Sequence, residues 1–194
     1  MSQALKLFIY RCTAVVLVIA LSIGFGFAFD AVMVSIEKRD NPRPEAYIEY
    51  IQKYSAECGV PEHIIYSIIK VESDFVSDFV SADGEIGLMQ LDTETFGWIG
   101  KFLLNEELEG GMLYSPEVNI KYGTYYISYL HGVFGVWETC FAAYDAGIDT
   151  VNEWHGDDAN VDANGTLIKY PESSTGRYVS DVTDAMEDYM KLYY

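Results

Sequence analysis

The chain opens with one long apolar run and continues as a series of short amphipathic stretches. From Cys12 to Phe29 eighteen residues carry no charge, and Lys6 and Arg11 precede them. Coiled as a helix, this run spans about 27 Å, close to the roughly 30 Å of a hydrocarbon core. Ala31 to Ile36 extends it, with Asp30 as the interruption. Two readings fit the run. An uncleaved transmembrane anchor accounts for the length, whereas a cleaved signal segment has the same basic start and a small-x-small site at Gly26 and Ala28. Phe25, Phe27 and Phe29 make a poor cleavage site, which favours the anchor. In either case Lys6 and Arg11 hold the N-terminal tail inside, and everything after Asp40 crosses the membrane. The expected location is a single-pass protein of the cell membrane with its domain on the outer side, or a secreted domain if the segment is cleaved.

Residues 1–40 therefore stand as anchor or signal and 41–194 as the exported domain. Asn41 to Glu45, with Pro42 and Pro44, reads as a linker. Tyr47, Tyr50, Ile51, Tyr54 and Cys58 then recur at helical spacing and stop at Gly59. Pro61 opens a second helix with the stripe Ile64, Ile65, Ile68 and Ile69. Ser115-Pro116-Glu117 starts another, with Ile120, Gly123, Ile127, Leu130 and Phe134 on one face; Gly123 there suggests close contact with a neighbouring helix. Trp137 to Ala146 forms a helix stopped by Gly147, and Thr175 to Tyr193 closes the chain with Val179, Val182, Met186, Tyr189 and Tyr193 in register. Strand-type alternation is almost absent, so the domain is expected to be all-α.

Charge narrows the function. Lys and Arg total 12 against 30 Asp and Glu, a formal net charge of −18. Such a surface repels phosphate backbones and argues against nucleic acid as a partner. Cys12 lies in the apolar run; Cys58 and Cys140 either pair in an oxidising compartment or remain buried thiols. No C-x-x-C exists and His63, His131 and His155 are scattered, so neither metal nor cofactor is expected. Asn160, Asp162, Asn164 and Gly165 have the opening spacing of a calcium loop, but the twelfth position is Pro171. An acidic surface loop with an Asn-Gly turn explains them better.

One carboxylate falls where apolar residues belong. Glu72 lies four residues after Ile68, on the stripe of the second helix. If it stays on that face it is desolvated and its pKa rises toward neutrality, as a general acid for a glycosidic oxygen requires. At the end of a helix it could equally turn to solvent.

The residues that follow resemble a known family. Glu72-Ser73, Ser81, Gly84 and Gly87-Leu88-Met89-Gln90 are similar to the first motifs of the soluble-type lytic murein transglycosylases. Asn119-Ile120 with Gly123 looks like that family's Asn-Ile-x-x-Gly helix, and Ala143-Tyr144-Asp145-Ala146-Gly147 like its Ala-Tyr-Asn-Ala-Gly block. Pro171-Glu172 followed by Arg177-Tyr178-Val179 is similar to its Pro-x-Glu-Thr-x-x-Tyr-Val segment. The resemblance runs from about residue 45 to 190. Asp145 departs from the family's Asn, and five residues rather than three separate Glu172 from Tyr178.

The resemblance implies a lysozyme-like fold of the goose-type lysozyme and transglycosylase kind, and peptidoglycan glycan strands as the partner. It implies cleavage of the β-1,4 bond between N-acetylmuramic acid and N-acetylglucosamine, with Glu72 first protonating the departing oxygen and then acting as base on the sugar's own C6 hydroxyl. That hydroxyl closes a 1,6-anhydro ring, so no second carboxylate is needed, and none stands at a family catalytic position. Ser81 is expected to place Glu72 or the N-acetyl group. Met89 and Gln90 are expected to line the groove, Tyr144 to orient Glu72 or touch the sugar, and Glu172 to contact substrate. Trp98 and Trp154 are further groove candidates. The alternatives are a hydrolase on the same fold that leaves reducing ends, and a catalytically weak glycan-binding protein.

Overall fold

A computed structural model describes residues 2–163 and 166–194, and the chain divides into two units, Met1–Pro42 and Arg43–Tyr194. The first unit is a single helix, α1 (Gln3–Asp40), started by Ser2, whose hydroxyl accepts from the N–H of Leu5. Lys38 and Arg39 sit in its last turn, where cations complement the carbonyl end. Within it Val15–Asp40 is long and apolar enough to cross a membrane, with a mean hydropathy of 2.3. The side chain of Cys12 lies outside the described residues.

The second unit is helical throughout. It contains α2 (Glu45–Cys58), α3 (Glu62–Ser73), α4 (Thr93–Ile99), α5 (Pro116–Phe134), α6 (Trp137–Ala146), α7 (Ile148–His155) and α8 (Ser173–Tyr193). Among the described residues there is no strand, only isolated bridges such as Val80–Ile86 and Ile86–Leu91. The periodic stretches became α2, α3, α5, α6 and α8. Periodicity missed α4 and α7, which at seven and eight residues show barely two turns of pattern. Local chemistry starts α4 instead: the Asp92 carboxylate accepts from the N–H groups of Glu94 and Thr95 at 2.7 and 2.8 Å. A π-helical turn, Gly100–Leu104, and a 3₁₀ turn, Gly110–Tyr114, follow it.

Helix α3 is the central element. Six of its residues, from Ile64 to Ile69, are fully buried. Helices α2 and α8 both pack on it, and α6 bridges α5 and α8. Its Ile stripe forms the main core with Ile51, Leu88, Met89, Ile120, Ile127, Phe141, Val179 and Val182. A smaller core of Leu91, Phe96, Ile99, Leu113 and Tyr122 lies under α4. Tyr125, Tyr126 and Tyr144 pack against both cores and mark the seam between them.

The ends of this unit meet in one cluster. Arg43 pairs with Glu62 at 2.8 Å, and its guanidinium lies over the rings of Tyr66, Tyr193 and Tyr194. The hydroxyl of Tyr194 donates to the same Glu62 carboxylate at 2.7 Å.

The fold bears on three further expectations. Cys58 and Cys140 are thiols, half-buried and buried, and burial pushes them up to about 11 and about 12. Trp154 is 9% exposed and belongs to the main core, so it is not a groove residue. Of the suggested calcium loop, Asn164 and Gly165 lie outside the described residues. The amide of Asn160 is buried and donates to the carbonyl of Trp154 at 3.0 Å.

Candidate active site

The site is built at the C-terminal end of α3. Ser73 is buried there, and its hydroxyl donates to the carbonyl of Leu88 at 2.8 Å. Asp74 and Phe75 take positive φ values of 46° and 64°, which stop the helix at once. Such angles are costly for residues with a side chain and mark a backbone held by its surroundings. Glu72 thus occupies the last turn of a helix whose Ile64–Ile69 segment is fully buried, and it remains partly exposed.

The Gly87–Gln90 turn is held from two sides. On α5 the Asn119 side chain accepts from the N–H of Met89 at 2.7 Å and donates to the carbonyls of Ile86 and Leu113 at 2.8 and 3.0 Å. On α6 the hydroxyl of Tyr144 donates to the carbonyl of Met89 at 2.8 Å. Gly87, at φ +87°, has the Asn119 amide where a Cβ would stand. Gly123 does mark a close approach, but to the Met89 side chain rather than to a helix: a Cβ there would lie 2.8 Å from the Cβ of Met89.

This corrects two groove assignments. Met89 is fully buried against Gly123 and belongs to the core. Gln90 is 5% exposed, and its amide donates to the carbonyls of Gly87 and Phe79 at 2.6 and 3.1 Å. Both side chains shape the turn from inside. Ser81 is also redirected: its hydroxyl donates to Glu85 Oε2 and accepts from the Glu85 N–H, each at 3.1 Å. Glu172 is exposed at the start of α8, about 9 Å of helix rise before Tyr178. No hydrogen bond or ion pair among the described residues joins it to Glu72.

Two residues beside Glu72 carry no site role in the sequence reading, although one of them, Tyr178, lies in a motif. The Tyr178 hydroxyl, on α8, donates to Glu72 Oε1 at 2.6 Å. Its signal was present in the Tyr-Val pair at 178–179, whose stripe assigns only Val179 to the core. Glu85 is the other: its charge acts on both Glu72 and Tyr144.

The Glu72 carboxyl is pushed up to about 8, first by burial and then by the nearby charges of Glu85 and Asp145, while the Tyr178 hydrogen bond works the other way. None of the ion pairs among the described residues reaches Glu72, Glu85 or Asp145. At neutral pH Glu72 is a protonated, hydrogen-bonded and accessible acid.

An aromatic cavity lies one ring away from Tyr144. About 460 Å³ in volume, it is lined by Trp98, Tyr126 and Tyr129 together with Thr95, Gly147 and Asp149. Tyr126, on its wall, packs against Tyr144 at 5.4 Å between ring centroids.

The comparisons with known proteins agree with this architecture. The Transglycosylase SLT domain family matches residues 49–166. The soluble lytic murein transglycosylase of Escherichia coli is 32% identical over 144 residues, which cover 72% of this chain and 22% of that protein. Membrane-bound lytic murein transglycosylase C of Yersinia pestis is 29% identical over 174 residues, covering 77% and 48%. Among solved structures, the 70-kDa soluble lytic transglycosylase of Escherichia coli superimposes with a TM-score of 0.68 at 30% identity, over 76% of this chain and 24% of that one. An inactive mutant of the lytic transglycosylase Slt from Pseudomonas aeruginosa gives 0.67 at 28%, over 77% and 25%. The chain therefore spans about a fifth to a half of the lengths of these relatives.

The helical packing and the likeness to the 70-kDa soluble lytic transglycosylase place the domain in the lysozyme-like class of fold. Within it, this chain belongs to the transglycosylase SLT domain family.

Proposed function

We propose that residues 43–194 form a peptidoglycan lytic transglycosylase that cleaves the β-1,4 bond between N-acetylmuramic acid and N-acetylglucosamine. Glu72 protonates the departing oxygen, then takes the proton of the C6 hydroxyl as that oxygen closes on the anomeric carbon. The product carries a 1,6-anhydro ring and no water is consumed. The observation that carries this reading is the state of Glu72, a partly exposed carboxyl pushed up to about 8 and fixed by Tyr178 at 2.6 Å. A general acid works best with a pKa near the working pH. Tyr144 holds the Met89 carbonyl and so fixes the turn that faces Glu72. Flat aromatic faces suit pyranose rings, and Trp98, Tyr126 and Tyr129 supply them in the cavity whose Tyr126 packs against Tyr144.

In this reading α1 anchors the domain in the membrane and places it against the wall on the outer side. The apolar length of Val15–Asp40 supports the anchor, and protease digestion of intact cells tests the side. The activity is tested by mass spectrometry of peptidoglycan digested with the full chain in mild detergent. Fragments one water lighter than hydrolysis products support it. Wall polymer left intact by folded protein contradicts it.

A further inference from the structure

The assignment of Glu72 leaves one carboxylate without a task. Glu85 closes the turn that runs from Ser81 to Ile86. The Ser81 N–H donates to the Glu85 carbonyl at 2.9 Å, and the Ser81 hydroxyl both accepts from the Glu85 N–H and donates to its carboxylate. The bridges Val80–Ile86 and Ile86–Leu91 seal the turn. Three residues later the Leu88 carbonyl is tied to Ser73, the neighbour of Glu72. The turn that carries Glu85 is thus tied to the residue beside the acid, and the Glu85 charge reaches Glu72.

This placement has a cost that a structural role does not explain. Glu85 is half-buried, and no cation among the described residues pairs with it. A Gln could accept the same Ser81 hydrogen bond without adding negative charge beside Glu72. An uncompensated, half-buried carboxylate whose charge acts on a desolvated one is the mark of a working site more than of a scaffold.

We propose that Glu85 is a second carboxylate of the site that activates water, which gives the domain a hydrolytic branch beside the anhydro-forming reaction. The proposal rests on the reading of Glu72 as the acid. In this branch Glu72 gives its proton to the departing oxygen as the bond from that oxygen to the anomeric carbon breaks. A water oxygen bonds to the anomeric carbon, and its proton goes to Glu85. One water is consumed, the muramoyl product has a free reducing end, and solvent exchange restores both carboxyls. Two carboxyl groups with different protonation states are what water-dependent glycoside cleavage uses. Burial raises Glu85, the Ser81 hydroxyl lowers it, and the charges of Asp83, Asp92 and Asp145 raise it again. A carboxylate raised in this way is a better proton acceptor near neutral pH than an ordinary one.

The test is the ratio of the two products. Peptidoglycan is digested with the full chain and with Glu85→Gln, Glu85→Asp and Glu72→Gln, then reduced with borohydride and weighed. Reducing ends become alditols and anhydro ends do not. The wild type is expected to give both, with the alditol share at least fivefold lower for Glu85→Gln and partly restored by Glu85→Asp. An alditol share unchanged in Glu85→Gln, or absent from the wild type while anhydro fragments form, overturns the role of Glu85 and leaves that of Glu72 intact. If Glu72→Gln still forms both products, the reading of Glu72 fails and the role of Glu85 falls with it.

Discussion

The hydroxyl of Tyr178 donates to the Glu72 carboxyl at 2.6 Å, so α8 reaches across the unit to hold the end of α3. The two residues are 106 positions apart, and the contact gives the acid one orientation. Glu72 gains negative charge as it gives up its proton, and a hydrogen bond to a charged group contributes about 1.5–3 kcal/mol. Tyr178→Phe should therefore lower the cleavage rate by roughly ten- to a hundredfold. Because this bond stabilises the ionised form, its loss should also move the alkaline limb of the pH profile upward. A profile of kcat/KM against pH for both proteins checks the two effects together.

Activity should fall as pH rises through about 8, where Glu72 loses its proton. Glu85→Gln removes one of the two charges that raise Glu72 and should shift that limb toward acid. An unshifted limb would show that burial alone sets the acid.

The same shift bears on stability. Glu72 holds a proton in the folded chain over a range, from 4.5 to about 8, in which the unfolded chain has released it. Stability from this group is complete below that window and is lost as pH rises through it. Glu72→Gln removes the dependence. The stability of the wild type relative to the variant should fall by about 1–3 kcal/mol between pH 5 and pH 8.5, as urea titration at both pH values would show.

Asn119 and Gly123 hold the Gly87–Gln90 turn without touching Glu72. Asn119→Ala removes the partners of the Met89 N–H and the Leu113 carbonyl, while the Ile86 carbonyl keeps the Leu91 N–H, and should destabilise the fold by about 2–4 kcal/mol. Gly123→Ala forces the Met89 side chain and the turn to move and should cost about 1–3 kcal/mol. Denaturant midpoints of the two variants check both values.

The Arg43 cluster should contribute to stability and not to chemistry. Arg43→Ala removes the pair with Glu62 and the contacts with three tyrosine rings, and should lower stability by about 1–2 kcal/mol with kcat/KM unchanged.

Much of this site is legible in the sequence. Glu72 stood out because a carboxylate on an isoleucine stripe contradicts the pattern around it, and the helices long enough to repeat the pattern followed from periodicity. A motif names residues but not the direction of their side chains, which is why Met89 and Gln90 were expected in the groove and lie inside the turn. Tyr178 acts across 106 positions, and no local pattern encodes such a contact. Glu85 comes near Glu72 only because a closed turn and the Ser73–Leu88 hydrogen bond fold it back.

The most direct test is the rate at which soluble fragments leave purified peptidoglycan at pH 7 with the wild type and with Glu72→Gln, both shown to be folded. Loss of a general acid should lower that rate at least about a hundredfold. A Glu72→Gln rate within a few fold of the wild type would contradict the assignment of Glu72 as the acid.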